Sequence, residues 1–182
     1  MNWNSSTDTG WFVNLAEDGS AVTIFDPSGS VYGALFPTHT DEGDQTSGRR
    51  KRDSSIAARD RQVLTFRKGH PATLRLSGGM TGTVTDQQPK AMRRKNKRCE
   101  VVISDRTYVF AHSSSRKATA LRDGSALAHL ARGRWSNRST VTRKSVSVTD
   151  ALDECVLTLF QKVVTPGRTG AFDQVISDLS SI

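Results

Sequence analysis

The segment "TDALDECVLTLFQKVVTPG", residues 149–167, constrains the fold more than any other part of the chain. Thr149 or Asp150 suits a helix N-cap, because a short side-chain oxygen can accept from a backbone N–H that has no intrahelical partner. Asp150, Asp153 and Glu154 fill the positive end of the helix dipole, and Pro166-Gly167 is a stop signal. Between these marks lie Ala151, Leu152, Cys155, Val156, Leu157, Leu159, Phe160, Val163 and Val164. They cover far more than the ~100° stripe that a surface helix buries. The segment also carries Asp153, Glu154, Gln161 and Lys162 and falls short of the roughly 20 apolar residues that span a bilayer. A helix of this kind must be surrounded by protein.

Most of the remaining chain reads as strands. "WFVNLA" and "AVTIFD" flank the turn "EDGS", and "IFDPSGSVYGALF" holds Asp26-Pro27-Ser28-Gly29, a turn suited to a bulged hairpin. Strand-like runs resume at "QVLTF", "ATLRLS", "TGTVT", "CEVVIS" and "TYVFAH", and "STVTRKSVSV" alternates as a strand. In "KATALRDGSALAHLARG", Asp123-Gly124 is a hairpin signal, while "GSALAHLARG" also admits a helix because alanine and leucine are good helix formers. "TIFDPSGSVYGAL", "LRLSGGMTGTV" and "ALRDGSALAHL" each set a glycine turn between two short apolar runs, as three versions of one hairpin module would. The simplest container for the apolar helix is then a curved or closed sheet. The expected fold is mainly β: an antiparallel meander closing into a barrel around a buried C-terminal helix.

With 35% hydrophobic and 7% aromatic residues, some of the 182 residues are expected to stay outside a packed core. Residues 1–10 are polar and read as a frayed terminus. Residues 38–60, whose only large apolar residue is Ile56, read as a mobile loop inside a single domain over 11–165, followed by an extension over 166–182.

"IFDPSGSVYGAL", "DRTYVFAHSSSRKATALRDGSALAHLARGRW" and "DALDECVLTLFQKVV", taken in this order, resemble the tubby C-terminal-like fold, whose superfamily includes tubby-like proteins, LURP-one-related proteins and phospholipid scramblases. The resemblance runs over residues 11–165. It implies an outer antiparallel barrel around the C-terminal helix, and its members are linked to phosphoinositide binding, to membrane-associated roles or to no known activity. No family binding motif is matched position by position, so it assigns no residue a role. The tail from Arg168 to Ile182 departs from the pattern, with Phe172, Val175, Ile176 and Leu179 at the spacing of a second, amphipathic helix packed outside the barrel.

No catalytic constellation emerges. C-x-x-C, H-E-x-x-H, G-x-S-x-G and Walker patterns are absent from the sequence, and "GGMTGT" lacks the lysine of a phosphate loop. His39, His70, His112 and His129 are scattered, which argues against a metal site, and nothing points to a cofactor. Asp41-Glu42 is explained by loop solvation and Asp153-Glu154 by the helix dipole. The two cysteines, Cys99 and Cys155, argue against a disulfide framework and for an intracellular, cytoplasmic setting. "MNWNSSTDTG" has neither the basic nor the apolar region of a secretory signal. A non-enzyme is expected.

The net charge of +8 turns attention to anionic partners. "KAMRRKNKRC" crowds Lys90, Arg93, Arg94, Lys95, Lys97 and Arg98; "GRRKR" adds Arg49, Arg50, Lys51 and Arg52; "RGRWSNR" sets Arg132, Arg134 and Arg138 around Trp135. Two functions fit these clusters. One is a binding module for anionic lipid head groups or a membrane surface, with Trp135 as an interfacial anchor. The other is nucleic-acid binding, for which only Trp135 offers a stacking aromatic. A scaffold or interaction protein with incidental charge is a third reading.

Overall fold

The computed structural model describes residues 5–38, 66, 69–86, 98–133, 140–166 and 172. Ten strands follow one another: β1 (Phe12–Leu15), β2 (Val22–Phe25), β3 (Val31–Pro37), β4 (Ala72–Leu76), β5 (Thr81–Asp86), β6 (Arg98–Ile103), β7 (Arg106–His112), β8 (Lys117–Arg122), β9 (Ser125–Arg132) and β10 (Val141–Ser145). They form a single 10-stranded sheet in which each strand pairs with its predecessor. All the pairings are antiparallel. The C-terminal helix α1 (Ala151–Leu159) continues into a π-helical turn, Phe160–Val164.

The two-residue period of the strands sorts the side chains. Val22 and Ile24, Ala72, Leu74 and Leu76, Cys99, Val101 and Ile103, and Tyr108 and Phe110 are all buried. The segment "GSALAHLARG" is a strand and not a helix. β9 is paired on both sides, by β8 and β10, and a register shift between Ala120 and Leu121 lets the adjacent Leu127 and Ala128 both turn inward. That bulge removes the regular alternation that would have marked the strand.

All three glycine-turn modules are hairpins: β2–β3, β4–β5 and β8–β9. In the first, the Asp26 carboxylate accepts from the backbone N–H groups of Ser28 and Ser30, closing the turn through its side chain. In the last, Asp123 and Gly124 take φ of 50° and 81°, the left-handed pair that matches strand twist. At Gly82 a Cβ would lie 2.6 Å from both Ile103 Cβ and the Val102 carbonyl oxygen, so β5 approaches β6 only because that residue has no side chain.

Asp150 is the N-cap of α1. Its carboxylate accepts from the Asp153 N–H at 2.9 Å, while the Asp153 carboxylate accepts from the Asp150 N–H at 3.0 Å, a reciprocal capping box. Residues 153–166 are all buried, so the helix is covered all the way round, and the Phe110 and Phe160 rings meet at 5.1 Å. The chain leaves the helix before Pro166. Thr165 donates its N–H to the Phe160 carbonyl at 3.0 Å and takes φ of 39°, which no helix continues.

Three sequence expectations change. Residues 5–10 are docked rather than frayed: Thr7 is buried, Thr9 Oγ1 donates to Glu154 at 2.8 Å, and Lys162 Nζ donates to Ser5 Oγ at 2.8 Å. These contacts run the segment antiparallel to the helix. The strand read from "STVTRKSVSV" stops at Ser145, leaving Val146 and Val148 exposed. Thr38 belongs to the sheet margin, its N–H donating to the Pro71 carbonyl and its hydroxyl bonded to that of Thr73. The rest of 38–60, most of "QVLTF" and most of 166–182 lie outside the described residues; the Phe172 ring packs against that of Phe66 in the core, tilted by 42° with centroids 5.2 Å apart. Among the described residues no backbone ladder joins β1 to β10.

Candidate anion-binding face

An antiparallel meander alternates its connections between two ends of the sheet. The β2–β3, β4–β5, β6–β7 and β8–β9 connections share one end and are all short turns. The strand termini that bound 38–71, 87–97 and 133–140 all lie at the opposite end. These are the connections whose sequences hold "GRRKR", "PKAMRRKNK" and "RWSNR". The same end carries Arg116 and Lys117 at the β7–β8 turn, and Glu17 and Asp18 at the β1–β2 turn. The described residues are close to charge balance, so the +8 of the chain resides chiefly in segments 39–65, 67–68, 87–97 and 134–139.

At the short-turn end, the three carboxylates of the helix start, Asp150, Asp153 and Glu154, are consumed internally. The fully buried Asp153 carboxylate accepts from Tyr108 Oη at 2.8 Å and pairs with Arg106 at 3.3 Å and with Arg122. Arg106 also pairs with Asp150. Glu154 accepts from Thr149, Thr9 and Arg143 at 2.7 to 2.8 Å. Burial alone would raise the Glu154 carboxyl, but the hydrogen bonds from Thr149, Thr9 and Arg143 outweigh it and hold the group below its ordinary value. Asp150 is likewise held low against partial burial, by the Asp153 N–H and Arg106. The cluster ties β7, β8, β10 and the N-terminal segment to the first turn of the helix. It is structural glue, with every carboxylate committed.

The outer face of β8, β9 and β10 offers a different arrangement. Register places Lys117, Ala131 and Thr142 in one row and Thr119, His129 and Lys144 in the next. Neighbours within a row stand about 5 Å apart and the rows about 7 Å apart. The small Ala131 leaves a depression between its larger neighbours, and a cleft of about 360 Å³ opens there. Thr119 Oγ1 and His129 Nδ1 are 3.2 Å apart, which fixes the imidazole ring against the sheet. Lys117, His129 and Lys144 are exposed, and the cleft is lined by no Asp or Glu among the described residues.

Of the residues singled out by sequence, Arg98 and Arg132 can be located. Arg98 is the exposed first residue of β6 and not part of a loop; Arg132 is the half-buried last residue of β9, its N–H donating to the Arg116 carbonyl. Lys90, Arg93, Arg94, Lys95, Lys97, Arg134, Trp135, Arg138 and Arg49 to Arg52 lie outside the described residues. Sequence reading passed over Lys117 and Lys144, which belong to none of the cationic clusters, and met His129 only as one of four scattered histidines. Only their cross-strand register unites them.

Cys99 and Cys155 are buried and unbridged, and burial pushes both thiols up, Cys155 to about 12, so neither is a thiolate at neutral pH. Among the described residues no cluster of three metal-ligating side chains occurs, and no helix is long and apolar enough to cross a membrane. No family model, curated protein or solved structure matches the chain.

Proposed function

We propose that this protein is a non-catalytic module that binds anionic lipid surfaces through the cation-rich end of its meander. One observation carries the reading: the three most basic connections all belong to strand termini at a single end of the sheet. Crowded like charges repel one another unless an anion compensates them. Each basic side chain near an anionic membrane contributes about 1 kcal/mol, so a handful of them suffices for peripheral attachment. Trp135, between Arg134 and Arg138, supplies an amphipathic ring of the kind that settles at a lipid–water boundary. The two buried, unbridged thiols favour an intracellular site of action, at the cytoplasmic face of a membrane. In this reading the sheet closes as a barrel around its helix in the manner of the tubby C-terminal-like fold, with residues 5–10 and the helix filling the gap between β1 and β10.

The test compares binding at matched ionic strength to phosphatidylcholine vesicles, to phosphatidylcholine–phosphatidylserine vesicles, and to random duplex and single-stranded nucleic acid. Salt-sensitive binding to the anionic vesicles alone is the expected result. Retention on nucleic acid with none on vesicles would transfer the same cations to a phosphodiester backbone.

A further inference from the structure

We infer that the cleft on the outer face of β8–β10 is a specific pocket for a phosphate monoester, set within the broader basic surface. The inference rests on the reading above for the membrane arm of its test, but its geometry is independent of the cationic loops. Lys117 and Lys144 stand at opposite corners of the two-row array, on β8 and β10, with Ala131 and His129 between them. Their Cα atoms are separated by two strand spacings and one two-residue step, on the order of 12 Å. Two lysine side chains reaching from such corners can meet over Ala131, the one position in the array without a long or polar side chain. The Thr142 hydroxyl donates to the Ala131 carbonyl at 3.2 Å and offers the cleft no proton, while the Thr119–His129 pair keeps one donor free, the Thr119 O–H or the His129 Nε2–H according to the tautomer.

That inventory fits one ligand chemistry. Two ammonium groups with the one free donor of the Thr119–His129 pair match a compact dianion with three terminal oxygens. A phosphodiester carries a single charge and two terminal oxygens, and leaves one of these three donor groups unused. Among the described residues no carboxylate lines the cleft, which leaves its exposed lysines without the usual partner on a sheet face. A cleft of about 360 Å³ admits a phosphorylated head group or a small phosphorylated metabolite, at the lower end of the usual range for small-ligand pockets. The shared chemistry is the terminal phosphate, and its source, lipid or soluble, is what the experiment separates.

The experiment uses the full chain and a Lys117→Gln, Lys144→Gln double variant, both changes being at exposed positions. The first arm follows backbone amide signals of Thr119, His129, Ala131 and Thr142 by NMR during titration with inorganic phosphate and with glycerol 3-phosphate. The second measures binding to phosphatidylcholine vesicles doped with phosphatidic acid, a phosphate monoester, against phosphatidylserine at matched charge. The expected result is saturable shifts confined to β8–β10 and a preference for phosphatidic acid. Both should be lost in the double variant, with affinity falling on the order of tenfold or more, since each cation near an anionic surface contributes about fivefold. Equal binding to both vesicles, unaltered by the variant and without phosphate-induced shifts, overturns the pocket and leaves the general membrane reading standing. Failure to bind either vesicle overturns the membrane reading, while shifts with soluble phosphate alone then assign the pocket a soluble ligand. Shifts that persist in the double variant also overturn it.

Discussion

Tyr108 Oη donates to the Asp153 carboxylate at 2.8 Å, joining the middle of the sheet to the first turn of the buried helix. Neither group reaches water, and Arg106 and Arg122 complete the shell of the carboxylate. Asp153→Ala should therefore leave the Arg122 guanidinium and the Tyr108 hydroxyl without their carboxylate beside a buried void, while Arg106 keeps Asp150, with a loss of about 3 kcal/mol. Tyr108→Phe keeps the ring and removes one hydrogen bond to a charged group, at about 1.5–3 kcal/mol. Urea unfolding of the two variants checks the order. Equal and negligible losses would mean that the cluster contributes nothing to stability.

The interior position of the helix makes a sharper demand. Leu157 is fully buried, and Leu157→Asp sets an unpaired carboxylate among apolar side chains at a cost of several kcal/mol. The variant should be unfolded by circular dichroism and lack a cooperative thermal transition. A soluble, cooperatively folding Leu157→Asp protein would be incompatible with the buried helix.

Acid should weaken the fold through Glu154 and Asp150. Both carboxyls are held below their ordinary values, so the folded state binds their protons less readily than the unfolded chain. Their contribution is fully present above the ordinary carboxylate range and disappears as pH falls through the lowered folded values. Glu154→Gln should lower stability at neutral pH and flatten its decline in acid. Unfolding midpoints of the two proteins, followed from neutral pH into the acid range, should converge; parallel curves would remove Glu154 from the linkage.

The cationic connection between β5 and β6 should serve binding without serving stability. Replacing Arg93, Arg94, Lys95 and Lys97 with Gln should move stability by no more than about 0.5 kcal/mol, the usual range for surface changes away from packed features. Binding to anionic vesicles should fall sharply. If duplex nucleic acid is the partner, the slope of log affinity against log salt should shrink by about 0.9 per lost phosphate contact. Unchanged binding to both partners would leave these residues as solvation alone.

Local chemistry was legible in the sequence wherever one short stretch carried the whole signal. The apolar breadth of residues 151–164, the Asp150 cap, the Asp26 turn and the Asp123-Gly124 hairpin all read correctly, because period, capping and left-handed φ depend on residues a few positions apart. β9 stayed open between strand and helix because its bulge, formed in pairing with β8, blurred its period.

What only the tertiary structure decided was long-range. Arg106, Arg122 and Arg143 look like surface charges in the sequence, yet the fold turns them onto Asp153, Asp150 and Glu154. Thr9, polar and near the N-terminus, becomes a partner of the buried helix. Lys117, His129 and Lys144 come together through the register of three strands, and the basic connections share one end because an antiparallel meander alternates its turns. A period of two tells which face a residue takes; only strand pairing tells which distant residue stands beside it.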